Sequence, residues 1–430
     1  MRYAAPKGTK DILPAQSGLW QANEYLFLHI AATYGYREIR TPIFEKTELF
    51  ARGLGDATDV VQKEMFTFMD RGERSLTLRP ELTAGVVRAY LEHSLSGEGP
   101  LCKLAYLGPA FRQERPQAGR YQQFTQYGVE SFGSHDPSLD AEVIDLALAF
   151  IKTSGLNQVK LLLNSIGCAE CRPLYRQALL KAVGERAREL CPTCQDRLVR
   201  NPMRVLDCKS PVCQSVLAGV PSTTDHLCTA CSEHFQMVQR RLYELGIEYT
   251  LTPRLVRGLD YYTNTVFEAV AGGIGAQDAI LGGGRYNGLI EVCGGPGTPG
   301  VGFAGGMERL FLALAAGGDA SQTSAGPSVF LVSLGDEAKT AAFRMAHELR
   351  QSGLATEMDY LNRSLKAQMR EADRQGAKAA VIIGEEELGR GTATVRWLEG
   401  KHQAEVEIAQ VTAYLTDRLQ GEKIGTIGVV

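Results

Sequence analysis

Between residues 121 and 132 the chain alternates in a way that permits little besides a β-strand with two unlike faces. Phe124, Gln126, Gly128 and Glu130 fall on one side; Thr125, Tyr127, Val129 and Ser131 fall on the other. An amide, a glycine and a carboxylate on one face make a poor core. They suit the floor of a polar binding pocket, with Gly128 leaving room for a ligand. Such a strand needs partners, and residues 103–111 supply one, joined to it through a polar loop from Gln113 to Arg120.

Two arginines stand at the edges of strand-like segments. Arg112 lies in Ala-Phe-Arg-Gln-Glu-Arg (110–115), and Arg257 opens Arg-Gly-Leu-Asp-Tyr-Tyr (257–262). Acids, aromatics and glycines surround both. Two fixed guanidiniums are what a site needs to bring a phosphate and a carboxylate together. A third segment, Gly-Phe-Ala-Gly-Gly-Met-Glu-Arg (302–309), ends in Arg309.

The chain has 430 residues, 44% apolar and 22% charged, with a net charge of −3. That composition is globular, long enough for two to four domains, and its charge advertises no global field for nucleic acid. The first ten residues lack the apolar core of a signal peptide, and the longest apolar runs, such as 310–316, are too short to span a bilayer. A cytoplasmic protein with no membrane partner is expected.

Helices are expected at 16–35, after Arg79-Pro-Glu-Leu-Thr, at 137–153 and at 233–245. Phe66–Met69 and Leu76–Leu78 flank Asp70-Arg-Gly-Glu as a hairpin. Residues 249–270 read as strand and 302–316 as helix; Gly282-Gly-Gly has a plain reading as a turn. Residues 317–327 read as a linker by composition. Beyond it, strands at 329–334, 355–360 and 379–383 alternate with helices at 336–352 and 364–376, which implies a small α/β domain with a largely parallel sheet.

With these segments in view, the chain resembles the histidyl-tRNA synthetases of the bacterial, class II type. The resemblance runs from Pro6-Lys-Gly-Thr-Lys-Asp (6–11) into the last domain. Tyr34–Pro42 resembles the first class II motif, which in the family lies at a homodimer interface. The strand–loop–strand around Arg112 is similar to the second and 302–309 to the third. Arg-Gly-Leu-Asp-Tyr-Tyr at 257–262 is similar to the histidine-specific signature.

The resemblance implies an α+β catalytic domain, an antiparallel sheet flanked by helices, in two parts (1–165 and 246–322). A Cys-rich insertion (166–245) would interrupt it, and a C-terminal α/β anticodon-binding domain (328–430) would follow. It implies a ligase that joins L-histidine to ATP, with Mg2+, as histidyl-adenylate plus pyrophosphate, then transfers histidine to the 3′ end of tRNA(His). Arg112, Arg257 and Arg309 are the implied catalytic residues. Glu81, Leu82, Thr83, Gln126, Glu130, Tyr261 and Tyr262, with Arg112 and Arg257, would bind histidine. Glu114, Arg120, Tyr121 and Phe124, with Arg112 and Arg309, would bind ATP. Plainer readings stand beside these: Glu81 as a helix cap, and Tyr261 and Tyr262 as core packing. The seven histidines form no cluster.

Eight of the ten cysteines fall between Cys168 and Cys231. Cys168–Cys171, Cys191–Cys194 and Cys228–Cys231 are C-x-x-C pairs, and Cys208 with Cys213 makes a looser fourth. Two four-cysteine zinc sites would use all eight, with His226 and His234 as alternative ligands; reduced buried thiols are the alternative. Insertion cations (Arg197, Arg200, Arg204, Lys209, Arg240, Arg241) and those of the last domain (Arg363, Lys366, Arg370, Arg374, Lys378, Arg390) are candidates for tRNA phosphates or for plain solvated surface. Two rivals remain: a non-catalytic regulatory paralogue built on the same fold, found with ATP phosphoribosyltransferase in histidine biosynthesis, and a class II synthetase for proline or threonine.

Overall fold

The computed structural model describes residues 3–55, 58, 60–273, 278–317, 326–400 and 402–419. The chain divides into two compact units, 1–322 and 323–430. Residues 318–325 of the expected linker lie outside the described residues.

In the first unit the strands are β1 (Arg37–Glu38), β2 (Phe44–Lys46), β3 (Phe66–Met69), β4 (Ser75–Leu78), β5 (Cys102–Phe111), β6 (Gln123–Phe132), β7 (Lys160–Ser165), β8 (Thr250–Leu251), β9 (Thr263–Val270), β10 (Ala279–Arg285) and β11 (Gly300–Gly306). Eight form one sheet, in the order β1-β5-β6-β11-β10-β9-β7-β8. Every pairing from β5 through β7 is antiparallel. The short edge strands β1 and β8 are parallel to their neighbours, so the sheet is mixed rather than wholly antiparallel. β2, β4 and β3 make a separate small sheet containing the expected hairpin, with Phe68 opposite Leu76.

The alternation in β6 sets which way the sheet faces. Tyr127 and Val129 are fully buried in a core shared with the helices Pro14–Thr33 and Pro137–Thr153. Tyr127 packs its ring against Phe27 and Phe150, with centroids 5.1 and 4.9 Å away. The helix Pro137–Thr153 starts where the sequence says it should. Pro137 fills its first turn, and the Asp136 carboxylate accepts the Ser138 N–H at 2.8 Å, a cap that satisfies an otherwise orphaned donor.

Three local expectations are corrected. The helix expected from 302 begins at Met307, because 300–306 is strand β11. There Val301 and Phe303 face the core at period two, while a side chain at Gly302 would collide with Glu130 and one at Gly305 with Tyr127. Gly282–Gly284 is not a turn but the middle of β10, where a side chain at Gly283 would strike the Gly302 carbonyl and Phe303. The strand expected over 249–270 is split into β8 and β9, and the Arg257–Tyr262 signature lies in the irregular segment between them.

Between β7 and β8 the chain leaves the sheet and forms short helices, the longest of them Thr229–Glu244. The second unit has its own core and five strands: β12 (Val329–Ser333), β13 (Thr356–Met358), β14 (Ala379–Ile383), β15 (Thr392–Trp397) and β16 (Gln403–Glu407), ordered β13-β12-β14-β15-β16. β13, β12 and β14 are parallel as expected, but β15 and β16 extend the sheet antiparallel, so it is not largely parallel. The short connection from β15 to β16, with Gly400 at φ 83°, lets the chain turn back without a crossover helix. No helix among the described residues is long and apolar enough to cross a membrane.

Candidate active site

On the face of the large sheet opposite Tyr127 lies a cavity of about 330 Å³. Arg112, Arg257 and Arg309, from three distant stretches of chain, all line it. So do Glu81, Thr83, Gln126, Tyr261, Tyr262, Glu114, Arg120, Tyr121 and Phe124. Of the candidate histidine- and ATP-binding residues, only Leu82 and Glu130 are not at its wall.

Each arginine is held by fixed partners. Arg112 follows β5, donates through Nε to the Pro80 carbonyl at 2.8 Å, and lies 5.3 Å from the Phe124 ring centroid. Arg257 is ion-paired with Glu268 on β9 and sits 6.0 Å from the Tyr262 ring centroid. Its buried Nε has no hydrogen-bond partner among the described residues, which leaves a donor for an anionic ligand. Arg309 donates to the carbonyls of Gly119, at 3.3 Å, and Ala279. Burial, with Arg120 nearby, lowers the proton affinity of Arg309 from its usual value. Glu114 pairs with Arg120 at 2.9 Å, which pins the loop between β5 and β6.

Glu81 is both a helix cap and a residue of the cavity wall. Its two oxygens accept the N–H groups of Thr83 (2.7 Å) and Ala84 (2.8 Å), capping the helix Thr83–Glu92, while the side chain also lines the cavity. Burial raises its pKa. Gln126 accepts the Leu82 N–H at 2.8 Å, so Leu82 contributes by fixing Gln126 through its backbone. The Gln126 oxygen keeps a second lone pair for a ligand.

Glu130 lies beneath the floor. Its carboxylate accepts from Thr83 Oγ1 at 2.7 Å, from Tyr106 at 2.9 Å and from Tyr286. Burial pushes its pKa up to about 8 against the pull of these three donors. Glycine 128 does not make room for a ligand: an added methyl there would strike the Tyr106 hydroxyl and the Phe303 carbonyl, so it makes room for Tyr106. The rings of Tyr261 and Tyr262 lie 4.6 Å apart, and Tyr286 meets both edge-on.

Sequence reasoning missed Glu268, Tyr106, Tyr286, Asp278, Glu308 and Asp207, and read Lys209 only as a candidate for tRNA phosphates or solvated surface. Glu268 left a signal: it is the one acid inside the apolar run of β9. Glu308 accepts the Thr125 N–H at 2.9 Å, and burial raises its pKa to about 7. Asp207 and Lys209 come from the insertion and reach the cavity wall, which no local pattern announces.

Among the surface cations, Arg200 pairs with Asp196, Arg240 and Arg241 with Glu244, Arg363 with Asp359 and Glu371, Arg374 with Glu371, and Arg390 with Glu405. His226 and His234 stand apart from the cysteines: His226 Nδ1 lies 3.2 Å from the Ser222 carbonyl and His234 Nε2 3.6 Å from Asp140. The cysteines gather in two fours, Cys168, Cys171, Cys228 and Cys231, and Cys191, Cys194, Cys208 and Cys213.

A mostly antiparallel sheet carrying, on one face, a cavity with arginines from the β5–β6 loop and the β11–helix junction defines a class II aminoacyl-tRNA synthetase. Residues 8–310 match the family model described as histidyl-tRNA synthetase, and 328–418 match that of an anticodon binding domain. The chain is 54% identical to a histidine–tRNA ligase of Moorella thermoacetica, over 96% of this chain and 98% of that one. It is 52% identical to one of Pelotomaculum thermopropionicum, over 98% and 100%. Its structure is similar to that of the apo histidyl-tRNA synthetase of S. aureus, with a TM-score of 0.82 at 40% identity, covering 96% of this chain and all of that one. The chain belongs to the histidyl-tRNA synthetase family.

Proposed function

We infer that this chain is a histidine–tRNA ligase whose first step takes place in the cavity. L-Histidine and ATP, the latter as its Mg2+ complex, give histidyl-adenylate and pyrophosphate; the histidyl group then passes to the 3′ end of tRNA(His). The carboxylate oxygen attacks the α-phosphorus, and pyrophosphate leaves. Two anions must approach, so the protein's task is charge neutralisation and positioning. Arg112 and Arg257 draw carboxylate and α-phosphate together. Arg309, with Phe124, Glu114, Arg120 and Tyr121, holds the nucleotide. Triphosphate oxygens supply most Mg2+ ligands.

Glu81, Thr83 and Gln126 receive the ammonium of histidine. Tyr261 and Tyr262 meet the imidazole, and Glu130 acts on that end of the pocket through Thr83, Tyr106 and Tyr286. A pocket that bonds both ring nitrogens disfavours apolar analogues by about 10⁴–10⁵-fold, because they leave its polar groups unpaired. The eight clustered thiols are candidates for structural Zn2+; four thiolates leave an ion no open position for substrate.

Residues 1–165 and 246–322 form the catalytic domain, 166–245 the insertion and 328–430 the anticodon reader. The working unit is a homodimer. Exposed Ile43 and Phe44, directly beyond the Tyr34–Pro42 motif, and exposed Phe68 and Met69 on the same small sheet as Phe44 support this. The setting is cytoplasmic, in keeping with ten unbridged cysteines.

The observation that carries this reading is the convergence of Arg112, Arg257 and Arg309 on one wall with Glu81, Gln126 and Tyr262. Exchange of labelled pyrophosphate into ATP tests it: histidine should support exchange, and proline and threonine should not. No exchange with any amino acid would favour the regulatory paralogue instead.

A further inference from the structure

We propose that each cysteine cluster binds one Zn2+ as a tetrathiolate, and that the second ion holds Asp207 and Lys209 on the wall of the substrate cavity. The metal half stands on the thiol geometry alone. The coupling half rests on the reading of the cavity given above.

In each cluster four Sγ atoms, from two separate stretches of chain, lie within 4.8 Å of one another. A tetrahedral site with Zn–S bonds of about 2.3 Å places neighbouring sulfurs about 3.8 Å apart. Cys168 and Cys171 are 3.7 Å apart, and Cys191 and Cys208 4.0 Å. Disulfide sulfurs would be near 2 Å. Donors already point at the thiols: the Cys228 N–H to Cys171 Sγ at 3.1 Å, the Cys191 N–H to Cys213 Sγ at 3.3 Å, and Asn264 Nδ2 to Cys231 Sγ at 3.2 Å. Such hydrogen bonds orient and stabilise metal-bound thiolates. Cys171 opens the helix Cys171–Val183, and Cys231 lies in the first turn of Thr229–Glu244, where the helix dipole favours a thiolate. An insertion built of such short helices gains most from a staple of this kind.

The second cluster reaches the cavity through covalent chain. Cys208 stands between Asp207 and Lys209, both of which line the cavity. The same segment is tied to the signature loop, because Asn201 Nδ2 donates to Asp260 at 2.8 Å and Arg204 Nη1 to the Arg257 carbonyl at 3.4 Å. An ion bound by Cys191, Cys194, Cys208 and Cys213 thereby closes the segment 195–207 at both ends. Cys208 is otherwise held by its N–H on the Val205 carbonyl at 3.1 Å, by Gln214 on its own carbonyl and by packing beside buried Val205 and Leu206; the ion adds a fixed anchor at its sulfur.

Elemental analysis of the full chain purified without added metal should find two zinc and no iron per chain. The Cys208→Ser/Cys213→Ser double variant should retain one zinc and lose about 10²-fold in kcat/KM for pyrophosphate exchange, the penalty for misplaced positioning groups. Lys209→Ala should keep both zinc ions yet lower the same quantity. If the double variant fails to fold, Co2+-loaded wild-type chain gives the same answer: two tetrahedral thiolate sites by absorption, and exchange that falls as a chelator strips the second. A metal-free, fully active chain with eight titratable thiols overturns the metal half. Loss of one zinc with exchange unchanged, or a Lys209→Ala chain of full activity, overturns the coupling half.

Discussion

Arg257 lies so close against Gly282 that a single methyl group at that glycine would occupy the place of the guanidinium. Gly282 stands opposite Glu268 in the β9–β10 register, and Glu268 is the ion-pair partner of Arg257. The bare strand and the carboxylate together fix one of the two cations that the chemistry needs.

Gly282→Ala should therefore imitate loss of the arginine. Pyrophosphate exchange should fall about 10²–10³-fold in both Arg257→Ala and Gly282→Ala, the range for removing one preorganised donor. Thermal unfolding of Arg257→Ala should stay near that of the parent chain. Near-normal exchange in either variant would remove Arg257 from the chemistry.

Arg285 predicts the opposite pattern. Its guanidinium is 1% exposed and bonds Asp140 (0% exposed) together with the carbonyls of Ser134, at 2.7 Å, and Asp136, at 3.2 Å. Arg285→Met leaves a buried carboxylate unpaired, which costs about 3–5 kcal/mol. Denaturant unfolding should show that loss, while exchange measured well below the melting temperature should change little, since neither residue lines the cavity.

Stability should decline as pH rises across the neutral range. Burial lifts Glu130 to about 8 and Glu308 to about 7, from an ordinary 4.5. Between the two values the folded chain holds these protons and the unfolded chain has released them, so folding takes up protons and weakens with rising pH. That contribution is complete below about pH 4.5 and gone above about pH 8. Urea midpoints across this window should fall, and Glu130→Gln should flatten the slope. An unchanged slope in the variant would mean that Glu130 is ionised throughout.

Truncation separates the two units. The second has its own buried core around Val329, Leu331 and Val381. Deleting 328–430 should reduce tRNA charging by far more than it reduces pyrophosphate exchange. Equal losses in both assays would make that unit chiefly a support for the catalytic body.

Much of the cavity was legible because its residues break local rules. A polar period-two face at 124–130, and arginines beside strands, are costly unless something uses them. Glu268 carries the same signature and could have been read from it. Tyr106 and Tyr286 could not, since a tyrosine in an apolar segment is ordinary. Gly128 read as room for a ligand, but what approaches it is Tyr106 from the neighbouring strand.

By itself the sequence determined what local pattern encodes: where the strands of the hairpin run, which face of 121–132 is polar, where the helix at 137 begins, and which cysteines come in pairs. Backbone sterics and burial act over a few residues, so that information is written over a few residues. Tertiary structure alone decided which cysteine pairs join into fours, that the glycines of β10 and β11 are strand, and that Glu130 lies below the floor. It also decided that Asp207 and Lys209 meet the cavity. Those outcomes depend on sheet order and on close approach between segments far apart in the chain, and no short window records either.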